Sequence, residues 1–156
     1  MGAGAPAVYV DGLRMRVSLR HAEMLALLAL FPGGLTTDRL GYHLYGNARS
    51  PVTIRAEFHR LRARLGADLV AARPYRLTGV VAADFIEIRD HLEAGHKDAA
   101  VSAYRGPLLP QSDSPTISET RAELHARVRA AARHCGDLTA RVAFANRFPE
   151  FRQMPR

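Results

Sequence analysis

Four apolar residues constrain the middle of this chain more than any other feature: Ile54, Phe58, Leu61 and Leu65 recur at helical spacing. At about 100° per residue they fall within roughly 60° of arc. Such a narrow stripe seats a helix on a core from one side. Val52, Ala56, His59 and Ala63 lie on the opposite side of the same wheel. Thr53, Arg60 and Arg64 form one shoulder of that outward face, and Arg55 and Arg62 the other. The stretch "SPVTIRAEFHRLRARLG" (50–66) is therefore predicted to be a helix, docked by its stripe and strongly basic elsewhere.

Three uses fit a basic amphipathic helix: a solvated surface element, a membrane-surface helix, and a helix that enters a nucleic-acid groove. A membrane-surface helix presents a wide, bulky apolar face, whereas this stripe is only as wide as core docking needs. A solvated helix usually mixes acids and bases at i,i+4, and here Glu57 is the single acid. Groove docking asks for small outward residues with arginines on both shoulders for phosphates, which is the pattern seen. His59 reads equally well as a plain exposed histidine, while Ile54, Phe58, Leu61 and Leu65 read as core.

The charge balance bears on the same choice. The net charge is +7 over 156 residues, which favours an acidic partner such as nucleic acid or an anionic surface. Lys97 is the only lysine. Arginine forks suit phosphate and guanine, although an Ala- and Arg-rich composition also follows from a GC-rich genome. Residues 1–80 carry 11 Lys and Arg against 5 Asp and Glu, residues 81–125 carry 4 against 8, and residues 126–156 carry 7 against 2. A basic segment, an acidic one and a basic tail point to separate roles for the first half and the middle.

Turn and cap signals divide the first eighty residues. Apolar alternation around Asp11-Gly12 predicts a hairpin of Val8–Val10 and Leu13–Val17. Ser18 caps a helix whose buried stripe is Met24, Leu25 and Leu28, and Pro32-Gly33-Gly34 ends it. Thr36 or Thr37 caps a second helix with Leu40 and Leu44 on one face, ending at Gly46. After the basic helix, Leu69–Ala71 and Tyr75–Thr78 read as a hairpin around Arg73-Pro74. Beyond Val80 the pattern is helical. Phe85, Ile88 and Leu92 mark one helix ending at Gly95, and "HKDAAVSAYRG" a second ending at Gly106. Ser114-Pro115 opens a third. Past Gly136 the aromatics Phe144, Phe148 and Phe151 show no clean period.

At this point the residues carry a resemblance. "SLRHAEMLALLALFPGGL", "LTTDRLGYHLYG", "IRAEFHRLRARLG" and "RPYRL" resemble the three helices and the wing of the OmpR-type winged-helix DNA-binding domain, over roughly residues 8–78. Leu61-Arg62-Ala63-Arg64-Leu65-Gly66 stands for the signature closing that family's recognition helix. "AYRGPLLP" and "SPTISETRAEL" are similar to the bacterial transcriptional activator domain of the SARP-type regulators of actinobacteria. The short arrangement also resembles the output portion of larger regulators with an upstream GAF sensor. The resemblance implies an α+β N-terminal winged helix-turn-helix (8–80), an all-α helical module (81–135) and a C-terminal tail of unclear role (136–156). It implies a sequence-specific transcriptional regulator with helix 51–65 in the major groove of double-stranded DNA. Thr53, Arg55, Ala56, His59 and Arg60 would then face bases or nearby phosphates, with Arg62, Arg64 and Arg73 mainly at the backbone. The helical module would relay a signal or contact a partner, with RNA polymerase, an upstream sensor domain and a second copy of the chain as candidates. The alternative is a protein-interaction module that uses the winged helix as a scaffold without DNA.

Other chemistry finds little support. The histidines lack metal-ligand spacing, Cys135 has no activating arrangement, and no nucleophile elbow or phosphate loop is present. No enzyme activity, metal or cofactor is expected. A single cysteine fits a reducing compartment, "MGAGAPAV" lacks signal-peptide character, and the run "AEMLALLALF" is too short to span a bilayer. The expected location is the bacterial cytoplasm, on the nucleoid when bound, with no membrane partner.

Overall fold

A computed structural model describes residues 7–10, 12–47, 51–79 and 82–153. The predicted turn residue Asp11, the first residue Ser50 of the predicted basic helix and the boundary residue Val80 lie outside the described residues. Strands β1 (Ala7–Val10) and β2 (Leu13–Arg16) precede helices α1 (Leu19–Leu30), α2 (Thr37–Tyr45) and α3 (Pro51–Leu65). Then come β3 (Val70–Ala71), β4 (Arg76–Leu77), α4 (Asp84–Glu93), α5 (Lys97–Ala103), α6 (Pro115–Arg133), α7 (Leu138–Arg147) and a 3₁₀ turn, Pro149–Gln153.

The chain is mostly helical, and this overturns the expected α+β class of a winged helix followed by an all-α module. Among the described residues the strands form two separate two-stranded antiparallel sheets. The second pairs only Val70 with Leu77 and Ala71 with Arg76. Its shortness has a local cause. Pro74 has no N–H to donate to a ladder, and Arg73 sits at φ 64°, in the left-handed region that breaks a strand. The expected strands Leu69–Ala71 and Tyr75–Thr78 are accordingly trimmed, with Tyr75 instead bridging to Leu35.

Contacts divide the chain into two units, residues 1–81 with 108–121, and residues 82–107 with 122–156. In the first, side-chain caps start α1 at the expected Ser18 and α2 at Thr36, one of the two threonines the sequence offered. Ser18 Oγ accepts from His21 N at 3.1 Å, and Thr36 Oγ1 from Arg39 N at 3.3 Å. Gly46 closes α2 at φ 76°, a conformation glycine adopts without penalty. The buried face of α1 includes Met24, Leu27 and Leu28. Leu25 is only half-buried, whereas Ala22, Ala26 and Leu27 join Met24 and Leu28 among the buried residues of α1. Leu40 and Leu44 of α2 and the whole α3 stripe are buried as expected.

Residues 108–121 join this unit through polar contacts. Ser112 Oγ donates to Glu23 Oε1 at 2.5 Å, and Ser114 Oγ donates to the His43 carbonyl at 2.7 Å. The Thr116 hydroxyl lies 2.7 Å from His43 Nδ1. Ser114 Oγ also accepts from Ile117 N and so caps α6.

The second unit is built on a buried cluster that includes Ile88, Val101, Tyr104, Val128, Ala132 and Phe144. The helix expected to run to Gly106 stops at Ala103. Residues 136–156, which showed no clean period, contain α7, capped by Asp137 Oδ1 on Thr139 N and Ala140 N. Ala140 and Phe144 are buried, with Phe148 and Phe151 packed against the cluster. Phe144, Phe148 and Phe151 thus stand at the i, i+4 and i+7 spacing of a helical face, with Phe151 carried by the 3₁₀ turn after Pro149.

Candidate nucleic-acid interface

The outward face of α3 follows from its buried one. Ile54, Phe58, Leu61 and Leu65 are all under a tenth exposed, so the helix cannot rotate about its axis without exposing that stripe. Phe58 stacks on Tyr75, with centroids 3.8 Å apart and planes 7° from parallel. Tyr75 is held in turn by two backbone hydrogen bonds to Leu35. The hairpin thus braces the underside of α3.

Of the expected contact residues, Thr53, Arg55, His59, Arg60 and Arg64 are exposed on α3, while Ala56 and Arg62 are half-buried. Arg73 is exposed at the β3–β4 turn. Arg62 and Arg64 occupy the last turn of α3, where the helix dipole favours cations.

Three of these arginines have partners the sequence did not reveal. Arg64 donates from Nε at 2.9 Å and from Nη2 at 2.6 Å to the carbonyl of Arg16, at the end of β2. It therefore works as a tie between α3 and the first hairpin, a role different from the expected phosphate contact. Arg62 Nη2 donates to the Ala67 carbonyl at 3.3 Å. Arg60 Nη1 pairs with Glu57 Oε1 at 2.6 Å, and the other oxygen of Glu57 meets His21 Nε2 at 3.0 Å. Glu57 could have been suspected from its i,i+3 spacing to Arg60. His21 lies 36 positions away, beyond any local signal.

Elsewhere in the first unit a cleft of about 470 Å³ opens beside Arg20, Glu23, Tyr45 and Asp113. Both oxygens of the buried Glu23 carboxylate are occupied there, by Arg20 Nη1 at 2.7 Å and by Ser112 Oγ. Arg20 also lies over the Tyr45 ring at 4.6 Å from its centre. Among the described residues no cluster of His, Cys, Asp and Glu has the arrangement of a metal site. Among them, too, no helix is long and apolar enough to cross a membrane.

No family model and no solved structure matches the chain. It is similar to an uncharacterized 47.3 kDa protein in the thcA 5′ region of Rhodococcus erythropolis, at 44% identity over 136 residues. The match covers 87% of this chain and 31% of that protein, so the chain spans about a third of the relative's length.

Proposed function

We propose that the chain is a sequence-specific DNA-binding regulator of transcription, with α3 docking in the major groove of double-stranded DNA. One observation carries this reading. The helix is locked by a buried stripe and turns outward the small residues Thr53 and Ala63, with Arg55, His59 and Arg60 exposed beside them. Small outward residues let a helix backbone approach base edges, and exposed arginines supply both phosphate and guanine contacts. The reading keeps the third-helix role implied by the OmpR-type resemblance, within a mostly helical protein. The acidic segment 81–125 is poorly suited to DNA, and we assign it to signal relay or to contact with a protein partner. The place of action is then the cytoplasm, on the nucleoid.

Selection of random duplexes by the purified chain tests the proposal. A recovered consensus, bound with an affinity that falls steeply with salt, supports it. Binding indifferent to both salt and sequence favours the other reading, an interaction module without DNA.

A further inference from the structure

We infer that Glu57 is a specificity-determining positioning residue, which holds Arg60 toward a base edge through an anchor on His21. This rests on the DNA-binding reading above. Glu57 is the single acid of α3. Its Oε2 lies 3.0 Å from His21 Nε2, and its Oε1 accepts from Arg60 Nη1 at 2.6 Å. His21 is 8% exposed on α1, whereas the Arg60 side chain is 65% exposed. The three residues thus run from the packed interior of the first unit to the outward face of its basic helix.

Two consequences follow from that geometry. An unrestrained arginine must be ordered when it binds, at a cost in affinity, and Glu57 does part of that ordering beforehand. Only one donor nitrogen of the guanidinium is engaged by Glu57, which leaves Nε and Nη2 for an acceptor pair such as guanine O6 and N7. The carboxylate also offsets the charge of Arg60 and is itself repelled by phosphates. Arg60 therefore contributes less to sequence-independent attraction and more to discrimination.

The test titrates the full chain against its selected duplex and a scrambled one at several salt concentrations. Glu57→Gln is expected to lower the selected-over-scrambled affinity ratio about three- to tenfold. Affinity for the scrambled duplex should rise, with a steeper salt dependence as Arg60 is released to phosphates. In an Arg60→Ala background the same substitution should leave the ratio unchanged. Glu57→Asp, which keeps the charge but draws it back by one methylene, should lower the ratio without steepening the slope. This variant decides the matter if Glu57→Gln does not fold. An unchanged ratio, an equal loss on both duplexes, or the same effect with Arg60 absent would overturn the inference while leaving DNA binding intact. A wild-type chain that selects no sequence overturns the DNA reading and this inference together, before any variant is measured.

Discussion

Phe58 of α3 lies flat on Tyr75 of the second hairpin, and this stack joins the basic helix to a sheet only two residues long per strand. Tyr75 also exchanges backbone hydrogen bonds with Leu35, at 2.8 and 3.0 Å. Helix, hairpin and the loop before α2 therefore share one small contact region. Phe58→Ala should destabilise the first unit by about 3–5 kcal/mol, read as a lower urea midpoint. Phe58→Leu should lose clearly less. Equal losses would mean that the ring stack, which both variants lack, outweighs the buried volume that leucine retains.

Gly34 is the backbone counterpart of that contact. It has φ 94°, and a Cβ there would lie 2.7 Å from Pro74 Cγ and 3.0 Å from the Tyr75 carbonyl. Gly34→Ala should cost about 1–3 kcal/mol through strain and displacement of the hairpin. Gly33→Ala, where a Cβ meets nothing within 4 Å, serves as the matched control. Thermal melting of the pair checks the contrast.

Arg64 separates structural from binding roles on α3. Its two hydrogen bonds to the Arg16 carbonyl should make Arg64→Ala cost about 1 kcal/mol of stability. Its effect on DNA affinity should be smaller than that of Arg55→Ala. The latter should weaken all duplexes alike and reduce the magnitude of the log–log salt slope by about 0.9. Denaturation and salt-dependent binding, measured on both variants, test the assignment.

Arg60→Ala should instead relax sequence preference, at a cost of about 1–3 kcal/mol on the selected duplex. The loss should be much smaller on a scrambled duplex. Competition titrations of the two duplexes measure the difference.

Two histidines set a pH dependence. Burial, reinforced by nearby Arg39, holds His43 below the ordinary histidine value of 6.5. Burial and Arg129 do the same to His125, partly opposed by Glu150. His125 Nδ1 lies 2.7 Å from the Tyr104 hydroxyl. That hydroxyl, pushed up to about 12 by burial and then by Glu150, stays protonated. A depressed histidine is neutral in the fold while the unfolded chain takes up the proton first. Its contribution is therefore complete above 6.5 and is lost as pH falls below that value toward the folded-state pKa. The urea midpoint should drop between pH 7 and pH 5, and His125→Gln should flatten that drop. An unchanged pH profile in the variant would assign the effect elsewhere.

Sequence alone determined what depends on neighbours a few positions apart. The caps Ser18 and Ser114, a cap at Thr36 or Thr37, the stop at Gly46 and the stripe Ile54, Phe58, Leu61 and Leu65 rest on local hydrogen bonds and helical periodicity, which act within one or two turns. Those same rules placed Arg55, His59 and Arg60 on an outward face. They could not set the length of the second hairpin, where Arg73 and Pro74 stop the ladder, and so they led to the wrong fold class. Nor could they place Glu23 against Ser112, Arg64 on the Arg16 carbonyl, or His21 beside Glu57. Those pairs are separated by 89, 48 and 36 positions, and only tertiary packing brings polar groups so distant in sequence within hydrogen-bond reach.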